Sequence, residues 1–165
     1  VHWRRGARGH CSLDDSTLKN QLTLDLASTW ASIDPSAALA YAQAQPERAQ
    51  QQETMREVFD SWAAVDAPAL DRWLAERPAD ETTDLAREQL ALSKFANDPS
   101  AAMATASAIA SEETRRARVE SLFAFWAQKN APEARQWLRD TEVPAALRPR
   151  LERLAARPDA VDEEE

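Results

Sequence analysis

One spacing governs what this chain can become. Asp34, Asp66, Asp98 and Asn130 each precede a proline by one or two positions, and successive members stand 32 residues apart. Other columns move in the same phase. Leu26, Val58, Leu90 and Leu122 form one, and Tyr41, Trp73, Thr105 and Trp137 another. Trp30, Trp62 and Trp126 form a third, in which Lys94 replaces the ring. Ala27, Phe59, Ala91 and Phe123 alternate small and large. A period of this length marks repeat architectures, where one supersecondary unit too small to bury its own apolar face is copied and stacked.

Each unit reads as two helices. The first runs over Leu18–Ile33, Glu53–Val65, Thr83–Asn97 and Glu113–Lys129. Met55, Val58, Phe59 and Trp62 fall at i, i+3, i+4 and i+7, as do Val119, Leu122, Phe123 and Trp126, so each set shares one helix face. The second runs over Pro35–Ala44, Ala67–Arg77, Pro99–Ala110 and Ala131–Arg139. Its Asp or Asn is an N-cap whose side chain accepts an otherwise unpaired N–H of the first turn. The following proline sits in that turn, where its missing N–H costs nothing. Asn130 and Glu133 have the spacing of a capping box. The tryptophan one turn before each cap packs in the elbow between the two helices, and Phe95 fills the space that Lys94 leaves. Pro46 and Pro78 stop the first two second helices. Alanine-rich segments such as "SAALAYA" and "SAAMATASAIA" allow close approach between helices. After Asp140, the stripe Val143, Leu147, Leu151 and Leu154 reads as a terminal capping helix interrupted near Pro149.

The expected fold is therefore all-α: a right-handed α-solenoid of about four stacked hairpins with a C-terminal capping helix. Three segments follow: a flexible basic arm over 1–14, a helical-repeat domain over 15–156, and an acidic disordered tail over 157–165. The Val1 start, with no apolar leader behind it, reads as a trimmed or processed piece. Composition agrees with an all-α chain. Gly6 and Gly9 are its only glycines, whereas tight hairpin turns of a β-fold need residues that tolerate φ > 0. A formal charge of −8 sets nucleic acid aside as a partner. No run is long and apolar enough for a membrane span, and the single Cys11 cannot form an internal disulfide.

The phrase W-A-x-x-D-P-x-A-A, at Trp30–Ala38 and in degenerate form at Trp62–Leu70, Phe95–Ala102 and Trp126–Ala134, resembles the Trp-Ala/Asp-Pro helical repeats of bacterial proteins. More broadly the chain is similar to tetratricopeptide-type α-solenoids over Leu18–Asp140. It departs from that pattern in its 32-residue period and in lacking the inter-helix glycine, so no peptide-binding residue is carried over. The resemblance implies a bacterial interaction scaffold, leaning exported or envelope-associated, with a cytoplasmic setting left open.

Chemistry finds little to work with. His2, His10 and Cys11 are the soft ligands, sit in the basic arm with Trp3, and have no second pair at metal-site spacing. No phosphate loop, nucleophile elbow, CxxC or HExxH occurs. The expectation is no enzyme, no metal and no cofactor. Asp25, Glu57, Glu88 and Glu120 lie near equivalent places on successive first helices. They form either an acidic stripe for a basic peptide or a solvated face balanced by neighbours such as Arg56 and Arg87, and the second is favoured. Trp30, Trp62, Trp73, Trp126 and Trp137 read as repeat core rather than a ligand platform. The leading function is a scaffold that binds a protein or peptide, in a groove or through its ends. The alternatives are a spacer or self-associating module of a larger envelope protein, and an enzyme working through groove carboxylates.

Overall fold

The computed structural model describes residues 15–156. The basic arm over 1–14, with His2, Trp3, His10 and Cys11, and the acidic tail over 157–165 lie outside the described residues. Every regular element described is an α-helix: α1 Asp15–Ala31, α2 Pro35–Gln43, α3 Arg48–Ala75, α4 Glu81–Phe95, α5 Pro99–Ser107, α6 Glu112–Lys129, α7 Ala131–Asp140 and α8 Arg148–Ala155. No described residue has a positive φ, as expected of a chain that connects helices without glycine. No helix among the described residues is long and apolar enough to cross a membrane.

Packing is local in chain order. α1 packs on α2 and α3, α2 on α3, α3 on α4, and α4 on α5. α5 then meets α6, which carries both α7 and α8, and α7 also touches α8. Two apolar cores result. The first gathers Ala27, Ala38, Val58, Phe59, Trp62, Leu70 and Leu90. The second gathers Ala91, Met103, Leu122, Phe123, Trp126, Leu138 and Leu151. They meet on α4, where the neighbours Leu90 and Ala91, about 100° apart around the helix, belong to one core each. Hydroxyls tie successive long helices: Ser28 Oγ lies 2.7 Å from Ser61 Oγ, and Ser93 Oγ donates to the Ala63 carbonyl at 3.1 Å.

Some boundaries differ from the expected ones for identifiable reasons. The helices expected over Glu53–Val65 and Ala67–Arg77 are the two arms of α3, which meet at Asp66, and the first arm starts earlier than expected, at Arg48. At Asp66 φ is −148° and ψ is 73°, outside the helical region, and Pro68 removes the next N–H from the ladder. Pro149 does not interrupt the last helix. It occupies the first turn of α8, so the helix starts there and Val143 lies before it.

Candidate functional site

The four 32-spaced residues adopt nearly one backbone conformation. Their φ/ψ values are −139°/86° at Asp34, −148°/73° at Asp66, −146°/85° at Asp98 and −149°/75° at Asn130. Each side chain accepts the N–H three residues on: Ala37 at 3.0 Å, Ala69 at 2.9 Å, Ala101 at 2.8 Å and Glu133 at 3.3 Å. At three elbows the same residue closes the preceding helix through its own N–H. Asp34 donates to Trp30 O at 2.8 Å, Asp98 to Lys94 O at 2.9 Å and Asn130 to Trp126 O at 2.7 Å. One short polar side chain thus ends one helix and begins the next, which fixes the angle between them.

Asn130 and Glu133 do not form a true capping box. The Glu133 carboxylate takes the Asn130 side-chain amide at 2.9 Å and the Trp126 indole N–H at 3.1 Å, because the Asn130 N–H is already given to Trp126. The capping box is instead at the start of α4, between Asp80 and Thr83.

The rings fill the elbows in pairs eleven positions apart. Centroids lie 5.9 Å apart for Trp30–Tyr41, 5.7 Å for Trp62–Trp73 and 5.8 Å for Trp126–Trp137. Phe59 and Phe123 join the second and fourth pairs through Trp73 and Trp137. Trp62 and Trp126 are 6% and 3% exposed, but Trp30 is 36% exposed, since nothing among the described residues packs on that side of α1. The third elbow is polar. Lys94 Nζ donates to Thr105 Oγ1 at 3.3 Å and pairs with Asp71, so lysine and threonine occupy the two ring positions. Phe95 does not fill that space. One residue further on it points about 100° around the helix and meets Phe125 at 5.6 Å.

The four carboxylates of the expected acidic stripe fare differently. Glu88 is paired with Arg118 of α6, and Glu120 with Arg150 of α8 at 2.8 Å. Both arginines lie 30 residues beyond their acids, two short of the 32-residue period, and Arg118–Glu88 is mostly buried. Arg87 bonds not to this set but to Asp84, at 3.5 Å. Asp25 accepts from Gln21 at 3.0 Å and is exposed, and Glu57 is half-buried. These two are the members without an arginine partner among the described residues. Asp84 itself is buried, and its carboxylate accepts the N–H groups of Ala110 at 2.7 Å and Ser111 at 2.9 Å. It thereby anchors the turn into α6.

A groove that the sequence reading missed runs across the first two units. Its larger part, a cleft of about 570 Å³, lies between the end of α2 and the starts of α3 and α4, with Gln43, Gln45, Gln51, Gln52 and Met55 on its walls. A second recess of about 260 Å³ shares Gln43 and Thr82 with it and continues past Leu39 and Trp73. Ser36, Leu39, Ala40 and Gln43 fall at i, i+3, i+4 and i+7, so one face of α2 forms a wall. The glutamines brace the frame. Gln51 donates to the Gln43 carbonyl, Gln45 to the Tyr41 carbonyl at 3.2 Å, and Gln52 to Glu81. Glu81 also closes an ion pair with Arg48 at 3.0 Å on the rim. The Arg77 guanidinium lies 4.0 Å over the Trp73 ring at the far end. No described donor reaches the Oε1 atoms of Gln43, Gln45, Gln51 or Gln52. The available signal in the sequence was the glutamine-dense run between the first two units, "AQAQPERAQQQ".

Among the described residues, no three His, Cys, Asp or Glu side chains gather as metal ligands would. No family model, no curated protein and no solved structure matches the chain.

Proposed function

We propose that this chain is a non-enzymatic helical-repeat scaffold, a right-handed α-solenoid of four stacked hairpins closed by α8, whose groove holds an extended segment of another protein. The observation that carries the reading is the amide-lined groove crossing two consecutive units. A side-chain amide offers both a donor and an acceptor, the same pair that a peptide unit presents, so a row of glutamines complements an extended backbone. Half-buried Trp73 adds an apolar face for the segment's side chains, and the buried Leu39 and Met55 lie beneath it at the groove floor. Methionine adapts to varied shapes and tryptophan gives a large rigid face. The lining provides hydrogen bonds, apolar surface and one closed ion pair, which suits holding a ligand. The repeated cap geometry, one backbone conformation at four elbows, supports the stacking. The resemblance to Trp-Ala/Asp-Pro repeats points the same way.

The test is selection from a random peptide display library on the immobilised full chain, followed by fluorescence polarisation with a selected peptide. Gln43→Ala combined with Trp73→Ala should weaken binding about tenfold or more, as loss of an aromatic anchor does. Arg116→Ala, on exposed α6 surface away from the groove, should leave it unchanged. Selected peptides that bind both variants equally would refute the groove.

A further inference from the structure

The outer face of α1 carries an apolar ridge that is unlike the rest of the molecule. Leu18, Leu22, Leu26 and Trp30 are spaced by four and all are exposed. Leu26 is 52% exposed, whereas its repeat counterparts Val58, Leu90 and Leu122 are 0%, 0% and 4% exposed. Within the chain, that column is covered by the preceding unit: α1 and α2 pack on α3, and α3 packs on α4. A shallow groove of about 350 Å³ runs beside the ridge, walled by Leu18, Lys19, Leu22, Leu26 and Tyr41.

The charges beside the ridge say what fits it. Lys19 and Asp25 lie three residues on either side of Leu22, so on a helix they flank that leucine at about 60° to each side. Neither has an ion-pair partner among the described residues. Consider a two-fold axis laid along the ridge. Each leucine meets its own counterpart, and Lys19 of each copy falls beside Asp25 of the other on both edges. An axis laid across the ridge would instead set Lys19 against Lys19 and Asp25 against Asp25. Ridges of i±4 spacing on two such helices interlock at a crossing of about −50°.

We propose that the α1 face binds a second copy of this chain, two-fold and ridge to ridge, with two reciprocal Lys19–Asp25 pairs flanking the leucines. The second copy takes the place that a preceding unit takes for Val58 and Leu90. One helix face is a small interface, so the dimer is weak and exchanges with monomer. The residues involved lie outside the glutamine groove, so this proposal and the groove reading fail independently.

The test is sedimentation velocity of the full chain from about 10 µM to about 1 mM, the range where interfaces of this size associate. The expected result is a monomer–dimer equilibrium. Leu22→Glu should raise its Kd about tenfold or more by burying a charge, with unchanged helical circular dichroism because Leu22 is exposed. Lys19→Glu and Asp25→Lys should each weaken the dimer by about fivefold, since each replaces two attractive pairs with repulsive ones. The double exchange Lys19→Glu/Asp25→Lys should restore it. A monomer at every concentration overturns the proposal, whether residues 1–14 or another protein covers the ridge. So does a dimer indifferent to Leu22→Glu, or single variants that the double exchange fails to rescue.

Discussion

At the scale of single residues, the side chains that shape this molecule are short and polar. Asp34, Asp66, Asp98 and Asn130 each hold one N–H of the next helix, and the chain turns wherever they occur. Replacing any one with Ala should cost about 1 kcal/mol in urea unfolding. Asp98→Asn should be close to neutral, because Asn130 already makes the same contact with an amide. Equal stability of Asp98→Ala and the parent would show that the cap contributes nothing. These caps were legible in the sequence because donor and acceptor are three positions apart. Asp84 was not. Its partners Ala110 and Ser111 lie more than twenty residues away, and nothing local separates Asp84 from any acid in a first helical turn. The same blindness affected Glu88 and Glu120. Their arginines sit on later helices, Arg118 on α6 and Arg150 on α8, so a search for neighbours on the same helix found the wrong ones.

At the scale of helices, the period tells which faces are buried, and position along the chain tells how completely. Trp62 and Trp126 stand between units, while Trp30 stands on α1 with one side open. Trp126→Ala should therefore cost about 3–5 kcal/mol, the usual loss for a large ring removed from a core. Trp30→Ala should cost only about 1–2 kcal/mol, because much of that ring already faces water. Thermal melts of the two variants decide it, and a Trp30→Ala loss as large as that of Trp126→Ala would contradict the account. The column logic breaks at α4. The sequence suggested that Phe95 would replace the missing tryptophan, but a neighbouring position points elsewhere on a helix. Lys94 keeps its own column and satisfies its ammonium with Thr105 and Asp71. The two helices read on either side of Asp66 are the two arms of kinked α3. The cap and proline around Asp66 match the other elbows, and the backbone leaves the helical region at that one residue before the second arm begins.

For the whole molecule, two cores share α4 and each helix rests on its near neighbours in the chain. Packing between near neighbours is what the proposed repeat requires, since its unit cannot bury its own face. The groove does not follow from the period. It depends on where glutamines, Met55 and Trp73 converge between two units, and amides carry no periodic signal to read. The central claim is that this amide-lined groove is where the chain binds. The most direct measurement is a ¹H–¹⁵N correlation titration of the full chain with a selected peptide, following the side-chain amides. The account predicts saturable shifts at the Gln43, Gln45, Gln51 and Gln52 amides and the Trp73 indole, with the Trp126 and Trp137 indoles unmoved. Shifts centred on α6 to α8, with those four amides unmoved at saturation, would contradict it.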